Sequence, residues 1–315
     1  MNCNYTKTIL SLIICLFSSF SANSQGCSDA GFCTAGNIKP NNQSDKTFKN
    51  SIGFTLGFAL GEQGTQIITP QFEPNIRIND RSMVQLKIPM VLIKGDLATV
   101  SGLGDAILTY NYLFDSLSTY PIMITAGTRI ATGTASSKNE NIALPMPYQL
   151  SLGTTDFILG AKIELKKGFS ISLAYQQPVF NRNQNGFDSA AFKSLAKEEA
   201  LLPEDNFFIS SNLKRRGDVM VRIDKAFKTK NAFITLGLLP IYHLGKDEVE
   251  IAKNKTIELE GSQGLTLNLN TSVYYKLSSK TELSLILAMP LIVRESRPDG
   301  LTRSFVSVLG FRYFL

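Results

Sequence analysis

The chain holds one histidine, His243, in the run Tyr242-His243-Leu244-Gly245. An imidazole is the side chain best suited to move a proton near neutral pH, so acid–base chemistry would centre there. Its neighbours supply no mechanism. A hydroxyl nucleophile two residues on would occupy position 245, which is Gly245, and no His–Asp pair with further carboxylates is visible from the sequence. A lone histidine at a strand end reads as a rim residue or a hydrogen-bond partner, and no enzyme is expected. No phosphate loop, dinucleotide motif or metal constellation appears, so no cofactor is expected either. The other reactive side chains are Cys27 and Cys33, the two cysteines outside the leader. In an exported chain this spacing predicts a small disulfide loop, because two thiolates alone are too few for a metal site.

Export is written into the first residues. Lys7 precedes an apolar stretch over 9–20, shorter than the roughly 20 residues a spanning helix needs. Ala22 and Ser24 offer a cleavage site, so 1–24 reads as a signal peptide and Gln25 as the first mature residue. Neither Cys15 after Ile14 nor Cys27 after Ser24 and Gln25 fits a lipid-modified cysteine. Later apolar runs are short, and the longest, 283–293, contains Ser284 and Pro290. The chain is therefore either soluble after export or a barrel that crosses a membrane with strands. The net charge of +6 is spread out, with no basic cluster interleaved with aromatics, which argues against nucleic acid. Absent tryptophan, frequent Phe and Tyr, and a mean hydropathy near zero suit a wall with one apolar and one polar face.

That wall is legible from residue 48 to 315. In SIGFTLGFALG, from Ser51, the large apolar Ile52, Phe54, Leu56, Phe58 and Leu60 fall on one face. Ser51, Gly53, Thr55, Gly57 and Ala59 fall on the other, which is the period of a strand. The pattern recurs about twelve times. Leu265, Leu267, Leu269, Val273 and Tyr275 oppose Thr266, Asn268, Asn270, Ser272 and Lys276, and Phe305, Leu309, Phe311 and Tyr313 close the series. Connections alternate between short ones (79–82, 115–120, 166–168, 228–231, 278–281) and long ones (93–102, 133–153, 181–217, 245–263, 294–302). This rhythm predicts an all-β, transmembrane, antiparallel up-and-down β-barrel with short periplasmic turns and long extracellular loops. Outer-membrane lipid is then its solvent. The ending Gly310-Phe311-Arg312-Tyr313-Phe314-Leu315 resembles the signal read by the barrel assembly machinery.

Alternation also assigns the lumen. Arg77, Lys87, Asp105, Arg129, Asp156, Lys162, Glu164, Arg222, Asp224 and Glu282 are the inward charges, and at such depth they must meet water or each other. They form either an ion-pair network or a wet, restricted path, since twelve strands enclose less space than the wide porins. Residues 25–47 could fold into the lumen as a plug or lie as a periplasmic tail. Residues 188–202 read as a short amphipathic helix, capped by Asp188 and ended by Pro203. The segments around 248–251 and 256–260 alternate as a hairpin above the membrane.

Three places resemble the outer-membrane transporter family associated with meta-pathway phenol degradation: Gly102-Leu103-Gly104-Asp105 leading to Tyr110 and Tyr112, Pro121 followed by Ala131-Thr132-Gly133, and Asp156-Phe157 with Gly160. Ala131 stands where that family often has Pro. The resemblance implies a barrel of a Gram-negative outer membrane that admits small hydrophobic or aromatic compounds. The leading expectation is passive, porin-like transport of such a solute, resting on the polar, Gly-rich inner faces of strands one, five and six. The competing one is a structural or adhesive barrel whose loops bind a partner. A barrel hydrolase such as the twelve-stranded outer-membrane phospholipase would need the serine that Gly245 replaces.

Overall fold

The computed structural model describes residues 35–38, 48–114, 120–188, 207–301 and 303–315. The expected signal peptide, the expected disulfide of Cys27 with Cys33 and most of the helix expected over 188–202 lie outside the described residues. Among the described residues the strands are β1 (Ser51–Leu60), β2 (Gln66–Asn79), β3 (Ser82–Lys94), β4 (Thr99–Leu103), β5 (Ala106–Phe114), β6 (Ile122–Ile130), β7 (Lys138–Asn139), β8 (Ile142–Ala143), β9 (Thr154–Glu164), β10 (Phe169–Asn181), β11 (Asp218–Lys228), β12 (Ala232–His243), β13 (Glu248–Ala252), β14 (Lys255–Glu258), β15 (Gly264–Lys276), β16 (Thr281–Ile292) and β17 (Phe305–Phe314).

Each wall strand pairs antiparallel with its neighbours in sequence, and β17 returns to β1 over ten residue pairs from Ser51↔Phe314 to Leu60↔Phe305. The result is a closed twelve-stranded barrel in which β4 and β5 share one place beside β3. Closure removes every sheet edge, which a strand-built protein needs in lipid. The outward side chains expected from alternation are bare in the isolated chain: Phe54, Leu56, Leu173, Leu285 and Leu309 are all exposed. Phe114, Phe169, Phe227, Tyr275 and Tyr313 are also exposed, at the short-turn end. A continuous apolar belt flanked by aromatics is stable only against hydrocarbon and headgroups.

One expectation needs correction. The connection foreseen over 93–102 is mostly strand, because β3 runs to Lys94 and turns directly into β4. Pro70 and Pro74 lie inside β2. The hairpin foreseen over 248–260 is present as β13 paired with β14.

The interior has two cores. Within the lumen, Ala35, Ile38, Ile107, Ile158, Ala174, Met220, Leu239 and Ile241 pack together and are buried. At the long-loop mouth, Ala59, Ile67, Ile93, Leu97, Leu144, Tyr148, Phe187 and Phe207 form a second cluster, with the Tyr148 and Phe207 rings edge to face at 5.9 Å. The long loops therefore fold inward over the barrel. Asn181, Asn183 and Asn185 start one of them, each side-chain oxygen accepting the backbone N–H two residues on.

Candidate functional site: the lumen and its cap

Among the described residues, the lumen is filled on one side and open on the other. On the filled side a short turn of the N-terminal segment, residues 35–38, lies against β5, β6, β9 and β10. The Gly36 N–H donates to Gln85 Oε1 at 2.9 Å, and Arg222 Nη1 donates to the Ile38 carbonyl at 3.2 Å. Gly36 has φ +50, and a Cβ there would sit 2.1 Å from Asn111 Oδ1, so glycine is required twice over. Gly160 does the matching work in the wall, since a Cβ there would fall 2.7 Å from Ile38 Cδ1. The inner glycine of β9, expected to line a path, is thus the seat of an inserted peptide.

On the opposite side, β1, β17 and β16 present Gly53, Thr55, Gly57, Ala59, Gly310, Ser284 and Ala288 inward, beneath Val306, Val308 and Ile286. Between these small side chains and the filled half lies a cavity of about 140 Å3. A second cavity of about 100 Å3 lies nearer the mouth, under 149–152 and 299–303. Thr69, Gln71 and Arg303 line both. The open space is therefore an eccentric run along one wall.

The inward charges are distributed unevenly around it. Lys87, Arg222 and Glu282 line the larger cavity, and Asp105 and Arg129 line the one at the mouth. Glu73, not among the expected inward charges, is the hub of the larger one. It faces Lys87 Nζ at 3.5 Å and Arg312 Nη2 at 3.3 Å, and accepts from Gln71 Nε2 at 2.6 Å. Across the barrel, Arg129 holds Asp156 at 2.5 Å, with Asp105 at 4.0 Å, and Gln176 also donates to Asp156. Lys162 pairs with Glu164 at 3.8 Å, and Arg222 with Asp224 at 3.9 Å. Asp156, Lys162, Glu164 and Asp224 line neither cavity, so these four serve ion pairing in the filled half. Arg77 is a correction: it lies exposed at the short-turn end, paired with Asp80 at 2.6 Å, because parity gives a side chain's face but not its depth.

The cap holds an arrangement that spacing did not reveal. His243 Nδ1 lies 2.6 Å from Asp218 Oδ1, and its Nε2 lies 2.8 Å from Asp247 Oδ1. Arg215 bridges Asp218 at 3.0 Å and Asp299 at 3.1 Å, and Arg294 reaches Asp299 at 2.9 Å. All six are buried or nearly so. Burial alone would raise the Asp299 carboxyl, but Arg294 and Arg215 overcome it and hold the group below the usual carboxylate range. Burial likewise opposes charge on Arg215, and Asp218 and Asp299 reverse that and hold it above its ordinary value. A ring bonded to two carboxylates satisfies both only by donating from both nitrogens, which leaves no free nitrogen to act as a base. The network binds 213–218, the end of β12, and the loops at 244–247 and 294–299. Chemically it is a clamp. Only His243 and Asp247, four residues apart, could have been paired from the sequence.

No family model matches the sequence, and no curated protein matches it either. Among solved structures, the fold is similar to that of an outer membrane channel from Pseudomonas putida F1, with a TM-score of 0.58 and 14% identity over 88% of this chain and 100% of that one. The NanC porin superposes with a TM-score of 0.50 and 8% identity, over 84% of this chain and all of that one. At such identities the likeness is one of fold. It places the chain in the architectural class of outer-membrane-type barrels.

Proposed function

We propose that this protein is an outer-membrane channel of a Gram-negative bacterium, through which small solutes with an apolar body diffuse passively along the β1–β17–β16 wall. The observation that carries this is the cavity of about 140 Å3 on the side the N-terminal turn leaves open. An apolar cavity of about 150 Å3 accommodates benzene, which sets the size class at a single ring. The lining suits such a body: Ala59, Ile286, Ala288, Val306 and Val308 surround it, and Glu73, Lys87, Arg312 and Glu282 offer contacts to a polar end. The short-turn end then faces the periplasm and the clamped loops face outward. Residues 35–38 act in this reading as part of a resident plug that narrows the lumen. The likeness to barrels named as a channel and a porin supports passage over loop-mediated adhesion.

The test is uptake by the purified, refolded protein. Proteoliposome swelling with sugars of graded size reads polar solutes. Cells with a lipopolysaccharide leaflet, producing the protein, read uptake of the apolar dye N-phenyl-1-naphthylamine. Uptake of the dye with exclusion of all but the smallest sugars is expected. Exclusion of both overturns the proposal.

A further inference from the structure

The short-turn end of the barrel carries charge of nearly one sign. Each described short turn is basic: Arg81 after β2, Lys166 and Lys167 after β9, Lys228 and Lys230 at the end of β11, and Lys280 after β15. All of these are exposed. Among the described residues, the side-chain carboxylates open to water there are Asp80, paired with Arg77, and Glu164, which reaches Lys162. The opposite end is balanced. Lys214 and Arg216 meet Glu248, Lys246 meets Glu260, and Arg297 meets Glu62.

The cations gather most closely on two adjacent hairpins, β9–β10 and β11–β12, which are joined by the pairing of β10 with β11. The first turn is laid directly on β11: Gly168 has φ +77, and a Cβ there would sit 2.6 Å from the Ala226 carbonyl oxygen. This brings Lys166, Lys167, Lys225, Lys228 and Lys230 to one stretch of the rim. Lys225 sets the chemistry. It shares its parity on β11 with Ile223 and Phe227, which are bare on the lipid side, so it faces lipid as well. Its ammonium lies 4.3 Å from the centre of the Phe169 ring and 5.7 Å from that of Phe227, and donates to the Lys167 carbonyl. No described carboxylate pairs with it. A cation on the lipid face of a barrel costs most at the midplane and least at the interface, where its head reaches the phosphates. The aromatic side chains at this end mark that same level. Directly below, toward the hydrocarbon, Ile171 and Ile223 are paired across the strands and exposed.

We infer that the β9–β10 and β11–β12 hairpins form a binding site for an anionic glycerophospholipid of the periplasmic leaflet. Its phosphate sits at Lys225 among the turn lysines, and an acyl chain lies along Phe169, Ile171 and Ile223. A zwitterionic headgroup would bring a further cation to a site that already holds five, so the anionic class is selected. A soluble acidic partner would reach the turns but not the lipid-facing Lys225 or the apolar strip beneath it. The leaflet follows from the orientation given above, with the short turns in the periplasm, and the site is independent of the solute transported.

Native mass spectrometry of the refolded mature barrel, titrated with equal amounts of phosphatidylglycerol and phosphatidylcholine, reads which lipid is retained. Wild type is expected to favour phosphatidylglycerol by roughly fivefold, the effect of one lysine beside an anionic headgroup. Lys166→Gln, Lys225→Gln and Lys228→Gln together are expected to bring the two lipids to parity. Lys253→Gln with Lys255→Gln, on the exposed outer hairpin, is expected to keep the wild-type ratio. Heat-modifiable mobility on gels confirms folding of each variant. Parity in wild type, or an undiminished preference in the triple variant, overturns the site and leaves the turn lysines to a soluble acidic partner. Displacement of the lipid by an equimolar amount of glycerol phosphate overturns lipid as the occupant. Neither readout depends on uptake, so a barrel that passes no solute would refute the channel and leave this site standing.

Discussion

Gly57 offers the most direct check that solutes pass along the open wall. It lies in β1 facing the larger cavity. A Cβ built there would meet Thr69 at 3.5 Å and Val308 at 3.9 Å, which is ordinary contact. Gly57→Leu therefore adds four carbons to the cavity without forcing the wall. Benzene, with six carbons, fills a cavity of about 150 Å3, so the leucine side chain takes up about two-thirds of the 140 Å3 available. The substitution also relieves the strand of a glycine, which favours folding by roughly 0.5–1 kcal/mol. The expected phenotype is a barrel at least as stable as the parent, with single-channel conductance and dye uptake both sharply reduced. Gly310→Leu is the contrasting case, since its Cβ would lie 2.3 Å from Ser284 Oγ and that side chain must turn away. A folded Gly57→Leu barrel with parental conductance and dye uptake would refute the assignment of the path.

Three further outcomes follow from the same geometry. Ile38→Ala empties part of the lumen core at a cost of roughly 2–5 kcal/mol, loosening the inserted turn; bilayer recordings should show higher or noisier conductance, and quiet parental currents would mean the turn does not restrict flow. His243→Ala takes one hydrogen-bond donor from each of the buried Asp218 and Asp247, a change of roughly 1–3 kcal/mol; hydrogen exchange should rise at 213–218 and 244–247 while the wall strands stay protected, and unchanged protection there would dismiss the clamp. Acid should act on the same place: Asp299, held below its ordinary value of 3.8, gives stability that is present above that value and lost as pH falls through the folded one. Limited proteolysis of the loops should thus accelerate below about pH 4, and no acceleration there would contradict the pairing of Asp299 with Arg294 and Arg215.

The wall was legible because its cause is local. Phe54, Leu56 and Phe58 alternate with Thr55 and Gly57 whatever the rest of the chain does, and turn residues mark where each strand ends. Depth was not legible. Arg77 shares the parity of Glu73 and Asn75, yet two residues further along β2 the chain has left the lumen for the turn. Parity also says nothing of what fills the space, so Gly160 read as open surface when it is a socket for Ile38. The peptide that fills it carries almost no signal, being a short run of small residues and one isoleucine in a polar stretch. The clamp was hidden for another reason: Arg215, Asp218, His243 and Asp299 come from three separate parts of the chain, and only barrel closure brings them together. Glu73 was passed over because its role as a hub depends on Arg312, which closure delivers from the far end of the sequence.

The clamp also divides the outer surface into parts that answer differently to ionic strength. At 0.1 M salt counterions largely screen exposed charges more than about 10 Å apart and soften closer exposed pairs, but they act much less where water is excluded. Three cations and three anions buried together leave no net field for salt to screen. The pairs on the neighbouring outer loops, Lys246 with Glu260 and Lys214 with Glu248, are open to solvent on at least one side. Added salt is therefore expected to weaken the exposed pairs beside the β13–β14 hairpin more than the buried clamp beneath it, so the rim of the mouth and its lid answer to different forces.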